Sequence, residues 1–274
     1  MTPNTQIITR DCPLCGQASA DNPVRPEGSE TWPMRQCRRC DFVYLDRAPI
    51  YERLVEEFAW EKTSELEEQT RKQRNPLVKT ISNQLKQLRR SLFRRNKLSW
   101  LIDRHVKSGE VLDIGCAGGG FLAGLPARLI PSGIEVSKKL AEDASKRVEP
   151  RGGKIIHDNA LNGVRSLPGE TFSAVVMSAF LEHEVDPGAL LAETRRVLKD
   201  DGVVIIKVPN WGSWNRRVRG DKWCGIRLPD HVNYFTPSTL TRLAQASGLR
   251  PIKFSLPDRL PTSDNMWMVA GRRA

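Results

Sequence analysis

The chain has 274 residues, 39% of them hydrophobic and 27% charged, proportions that exclude a disordered or fibrous chain and suit one large domain with an accessory. No stretch approaches the roughly 18 uninterrupted apolar residues of a membrane span, and no basic flank with an apolar run opens the sequence, so the chain reads as cytoplasmic with no transmembrane segment. The net charge of +11 is concentrated: ten Lys or Arg and no acid lie between Arg71 and Lys97, so an acidic partner would meet the chain there.

Residues 1–47 are turn-rich and carry four of the six cysteines. Cys12-Pro13-Leu14-Cys15-Gly16 and Cys37-Arg38-Arg39-Cys40 are two Cys-x-x-Cys knuckles, a spacing that lets four thiolates reach one tetrahedral Zn2+. Disulfides are the alternative, disfavoured by the cytoplasmic reading, and a redox role lacks a βαβ unit around either pair. Four protein ligands leave no open position, so a zinc held by Cys12, Cys15, Cys37 and Cys40 is expected to be structural. The module reads as a zinc ribbon.

Residues 48–97 read as a helical linker. Tyr51 to Glu68 forms an acidic helix, followed by a basic one in which Val78, Ile81, Leu85, Leu88 and Leu92 recur at helical spacing. That helix is expected to pack its apolar stripe and leave a solvated cationic face, with phosphate, RNA or a membrane surface as other partners for it.

From Leu98 to Ala274, short apolar runs alternate with amphipathic helices. Strands are predicted at Val111–Ile114, Gly133–Val136, Lys154–His157, Phe172–Met177 and Gly202–Val208, with helices at Ser137–Val148 and Pro187–Leu198. Pro251–Phe254 and Met266–Val269 can supply a closing antiparallel pair. The pattern predicts an α/β, doubly wound, Rossmann-like sheet.

A strand runs directly into the Gly-rich turn Asp113-Ile114-Gly115-Cys116-Ala117-Gly118-Gly119, where glycines let the main chain approach a ligand. Glu135 ends the second strand and can accept both hydroxyls of a ribose. Asp158 follows the third, where it can accept from an adenine amino group. Here the chain resembles the class I S-adenosylmethionine-dependent methyltransferase superfamily. Its Asp-x-Gly-x-Gly-x-Gly motif is matched by Asp113, Gly115 and Gly119, with Ala117 at the middle glycine. The resemblance implies S-adenosyl-L-methionine as cofactor, held by Asp113, Gly115, Cys116, Ala117, Gly119, Glu135 with Val136, Asp158 with Asn159, and Ser178. Leu181-Glu182-His183-Glu184-Val185-Asp186-Pro187 resembles a later motif of the same superfamily. A dehydrogenase site would instead favour Gly-x-Gly-x-x-Gly.

Methyl transfer mainly needs an aligned nucleophile, and a hydroxyl acceptor also needs a base, a role suited to histidine. His231 and His183 are the catalytic candidates; structural roles are the alternative for both. His231 lies in Pro229-Asp230-His231-Val232-Asn233-Tyr234-Phe235, which resembles a Pro-x-His-x-x-x-Phe pattern of bacterial methyltransferases of sugar and secondary-metabolite pathways. An insert at about 210–240 carries Trp211, Trp214 and Trp223 among arginines, and with Tyr234 these read as substrate-binding residues for a small-molecule acceptor, an anionic or phosphorylated one among the candidates. A sugar, nucleotide-linked sugar or natural-product intermediate is the expected acceptor class. The alternatives are an RNA methyltransferase using the ribbon and basic helix, and a non-catalytic zinc-ribbon interaction protein.

Overall fold

The computed structural model describes residues 7–49 and 97–272. The acidic and basic helices expected between residues 48 and 97 fall almost wholly outside those residues. At the N-terminus, β1 (Ile7–Thr9) pairs with β5 (Arg47–Pro49), and β2 (Val24–Arg25), β3 (Met34–Gln36) and β4 (Val43–Leu45) form an antiparallel meander.

The larger part opens with α1 (Lys97–His105), which leads into β6 (Gly109–Ile114) and the short α2 (Gly120–Ala123). Then follow β7 (Leu129–Glu135), α3 (Lys138–Val148), β8 (Ile155–His157), α4 (Ala160–Arg165), β9 (Phe172–Ser178), α5 (Pro187–Val197) and β10 (Leu198–Pro209). An excursion through α6 (Trp214–Arg219) and β11 (Asn233–Tyr234) precedes α7 (Pro237–Ala246), β12 (Arg250–Lys253), α8 (Leu256–Arg259) and β13 (Asn265–Gly271). Caps fix several helix starts: the side chains of Ser137, Asn159, Asp186 and Ser213 accept main-chain N–H groups at the heads of α3, α4, α5 and α6, and Thr236 and Thr239 form a reciprocal capping box on α7.

The seven-stranded sheet has the order β12-β13-β10-β9-β6-β7-β8. Strands β6 to β10 are mutually parallel, and β13 inserts antiparallel between β10 and β12. The order reverses between β6 and β9, which is where an open α/β sheet binds ligands. The expected strands all form, three of the five parallel ones longer at the start: β6 adds Gly109 and Glu110, β7 gains Leu129–Ser132 by pairing with Gly109–Leu112, and β10 takes in Leu198–Asp201 through a shift in its register on β9.

Alternation along the strands builds two cores. Leu112, Ile114, Val175, Met177, Val204 and Ile206 face α4, α5 and α7, whereas Val111, Ala174, Val176, Val203 and Ile205 face α1, α2 and α3. The first core continues without a break into Cys12, Cys37, Cys40, Phe42 and Tyr44 of the N-terminal part. Strand β11 pairs with β4, Asn233 opposite Tyr44 and Tyr234 opposite Val43, so the excursion after β10 supplies the edge strand of the N-terminal sheet. No helix among the described residues is long and apolar enough to cross a membrane.

Candidate functional site

The turn after β6 is shaped by three residues with left-handed backbones. Gly115 has φ +76°, Ala117 +47° and Gly119 +73°. A side chain at Gly115 would collide with the Phe180 ring, and one at Gly119 would press on the backbone of Ala144 in α3, so both positions require glycine on space as well as dihedral grounds. Ala117 holds a conformation that costs an L-residue about 1–2 kcal/mol. Glu135 holds it there: Oε2 accepts the Ala117 N–H at 2.9 Å, while Oε1 accepts the Ser137 N–H at 2.8 Å. The end of β7 thereby clamps both the Gly-rich turn and the start of α3.

A cleft of about 440 Å³ opens beside this turn, lined by Asp113, Gly115, Phe121 and Ser178 together with Leu98 and Ser99 of α1. The α1 residues carried no sequence signal; they join the site because α1 folds back over the carboxyl ends of β6 and β9. Burial, and then the neighbouring Glu135 charge, push the Asp113 carboxyl up to about 8. Cys116 is buried and packs on the main chain at Gly133. Val136 sits half-buried with its carbonyl in contact with the His157 ring at 3.1 Å. Asp158 Oδ1 accepts the Asn159 N–H, and the Asn159 side chain is occupied in capping α4.

Beyond this cleft, the loop after β9 and the excursion after β10 bring Glu182, His183 and His231 together. The imidazoles meet edge to face with centroids 4.7 Å apart. His183 Nδ1 lies 2.9 Å from the Asp230 carbonyl and His231 Nδ1 2.8 Å from that of Gly225. A carbonyl only accepts, so each Nδ1 carries the proton and each Nε2 keeps its lone pair. Burial holds His183 down to about 4 and His231 well below its usual value, so both rings are neutral at neutral pH. Glu182 is buried, its Oε2 has no hydrogen-bond partner among the described residues, and burial lifts its carboxyl to about 8 against the pull of Lys207 and Arg227. A carboxylate oxygen and one nitrogen from each ring all lie within 4.8 Å of one another. Glu182 stood in the quoted Leu-Glu-His motif, but its sequence gave no sign that its side chain turns inward.

The expected substrate surface needs correction. Trp211, Trp223 and Tyr234 are buried against Met34, Val43, Leu45 and Val232, with the two indoles 6.1 Å apart and Trp211 5.0 Å from the Tyr234 ring. The Arg216 guanidinium covers the Trp211 face at 3.8 Å, so this cation packs on the ring instead of waiting for a ligand. These rings glue the excursion to the N-terminal sheet and offer no face to an acceptor. Trp214 alone of the four is exposed.

The four cysteines of the N-terminal part converge. Cys12 and Cys40 sulfurs are 3.4 Å apart, Cys15 and Cys37 3.5 Å, and all four lie within 4.8 Å of each other. Sulfurs 2.3 Å from a tetrahedral zinc stand about 3.8 Å apart, so the set fits that ion. The two knuckles repeat one geometry: Gly16 N–H donates to Cys12 O and Asp41 N–H to Cys37 O, each at 2.8 Å, and Gly16 and Asp41 are both left-handed. Hydrogen bonding to Cys12, and then burial, push the Cys40 thiol up, as expected of packed thiols without a cation.

Residues 84–253 match the model of the family described as Methyltransferase domain. The ubiquinone biosynthesis O-methyltransferase of Thiobacillus denitrificans is 30% identical over 165 residues, covering 56% of this chain and 70% of the relative. That of Cereibacter sphaeroides is 31% identical over 151 residues, covering 52% of this chain and 61% of the relative, so the chain spans less than two thirds of this second protein. Among solved structures, a chain of the complex between the Haloferax volcanii Trm112 methyltransferase activator and a methyltransferase superposes with a TM-score of 0.51 at 14% identity, covering 63% of this chain and 86% of that one; this is a likeness of fold alone.

Proposed function

Because the chain belongs to the methyltransferase-domain family and is an S-adenosylmethionine-dependent methyltransferase, we propose that it transfers the methyl group to an oxygen of a small-molecule acceptor seated against Glu182, His183 and His231. The observation that carries this reading is the convergence of those three side chains, Glu182 and His231 buried and His183 half-buried, one loop away from Ser178 in the cofactor cleft. When bound, the cofactor supplies a methyl group already activated by a sulfonium.

The protein's part is to hold both reactants. The turn at Gly115–Gly119 offers main chain without side-chain bulk, Glu135 stands where a ribose is expected, and Asp158 flanks the adenine side. Glu135 keeps lone pairs beyond the two N–H bonds it accepts, so clamping the turn and binding hydroxyls are compatible. On the acceptor side, Nε2 lone pairs on two neutral imidazoles are the groups suited to managing a hydroxyl proton, and their orientation is preset by the two carbonyls. The relatives' names, both O-methyltransferases, support oxygen as the accepting atom. A hydroxylated ring suits this site as well as a sugar does, since the burial of Trp211 and Trp223 withdraws the surface on which a sugar was expected to stack.

We propose further that the four-cysteine site holds a structural Zn2+, supported by the sulfur spacing and by the matched knuckles. Incubation with methyl-labelled S-adenosylmethionine and a panel of hydroxylated aromatics, sugars, amines and acidic carbon compounds, read by mass spectrometry, tests the acceptor reading. An O-methylated product from any member supports it; methylation confined to nitrogen or carbon acceptors contradicts it.

A further inference from the structure

Three features of the acceptor nest are unexplained by proton handling alone. Glu182 is a carboxyl 1% exposed, with an oxygen that no group among the described residues satisfies, and such a group costs stability unless something pairs with it. Two histidines stand beside it with their Nδ1 protons committed to backbone carbonyls, at 2.9 and 2.8 Å. That is the outer-shell arrangement that fixes tautomer and ring direction in metal-bound histidines. Finally, one donor atom from each of the three lies within 4.8 Å of the others, so adjustments of at most about 1.4 Å bring each pair to the roughly 3.4 Å between donors on one tetrahedral ion.

We propose that Glu182, His183 and His231 form a second metal centre, distinct from the four-cysteine site, that binds a divalent transition-metal ion. Two imidazoles and one carboxylate are a ligand set suited to zinc, iron(II) or cobalt(II), and three protein ligands leave positions open for an acceptor oxygen. A hydroxyl held there ionises more readily. In the transfer, the new O–CH3 bond forms as the C–S bond breaks, the bonding pair stays on sulfur to leave a neutral thioether, and the hydroxyl proton passes to solvent. His231 is then a ligand, and the proton-handling role belongs to the site as a whole. This deepens the acceptor reading above and rests on it for its chemistry, but ion binding is measurable without acceptor or cofactor.

The full chain, stripped with a chelator under reducing conditions, is titrated with Co2+ alone. The expected result is two ions per chain: one developing the near-ultraviolet charge-transfer absorption of cobalt thiolate, the other showing only weaker visible bands. His231→Gln and Glu182→Gln are expected to keep the thiolate absorption and lose the second ion. A wild-type chain that takes up only the thiolate-held ion overturns the proposal, as does a His231→Gln chain that still binds both. The wild-type count needs no substitution, so a variant that fails to fold leaves the test intact. Calorimetry with S-adenosylhomocysteine on the same samples reports on the cofactor site separately, so a failed metal site and a failed methyltransferase assignment give different results.

Discussion

Arg10 and Asn233, 223 residues apart in the chain, meet through Nη2 and Oδ1 at 2.7 Å, and both are buried. The Asn233 amide donates onward to the Leu181 and Glu184 carbonyls at 3.0 and 2.6 Å, and Arg10 Nη1 reaches the Val232 carbonyl at 3.2 Å. One asparagine thus ties the cysteine-bearing part, the excursion after β10 and the loop that carries Glu182 and His183. Replacing Asn233 by Ala leaves a buried guanidinium donor and the Glu184 carbonyl without their partner, while the Leu181 carbonyl keeps the Glu184 N–H at 3.4 Å. The expected loss is about 2–5 kcal/mol, read as a lower midpoint in denaturant unfolding. A midpoint within 0.5 kcal/mol of wild type would show the tie to be dispensable.

Gly115→Ala is expected to weaken S-adenosylhomocysteine binding at least tenfold in calorimetry. The new methyl meets the Phe180 ring, and the backbone at φ +76° resists any side chain. Unchanged affinity would mean that the ligand does not contact this turn.

Asp113 gives a pH prediction for the cofactor-free protein. Burial raises its folded-state value from 3.8 to about 8, so between those values the folded chain binds more protons than the unfolded one. Its contribution is therefore best at low pH and is lost as pH rises through about 8. Asp113→Asn is expected to gain stability over wild type between pH 4 and 8, with the gain largest at the upper end, in denaturation series at pH 5 and pH 8. A constant difference across the range would contradict the buried-carboxyl account.

The histidines give the opposite sign. His183, lowered from 6.5 to about 4, and His231, lowered further, favour the folded state while neutral. That contribution is present above pH 6.5 and is lost as pH falls toward 4. His183→Gln is expected to flatten the loss of wild-type stability between pH 6.5 and 4; an unchanged slope would place the titration elsewhere.

The parallel strands and the Gly-rich turn were legible because they depend on local pattern: continuous apolar runs, glycines between strand and helix, and acids at strand ends. The cysteine site was legible for the same reason, since each knuckle is a four-residue motif. What joins the parts was not. β11 is two residues long and pairs with a strand some 190 positions earlier in the chain, a contact that no local periodicity announces. Trp211 and Trp223 were misread because a tryptophan among arginines looks the same whether the cations wait for a ligand or already cover the ring, as Arg216 does. Arg10 and Glu182 gave no signal, because burial of a single charged side chain depends on tertiary packing.

The assignment of the Asp113–Gly119 turn as the cofactor site is tested most directly by calorimetric titration of S-adenosylhomocysteine into wild type and Glu135→Ala. Saturable binding to wild type at one ligand per chain, and a loss of at least tenfold in affinity on removing the carboxylate that clamps Ala117, is the expected result. No binding to wild type, or equal binding to both, would contradict it.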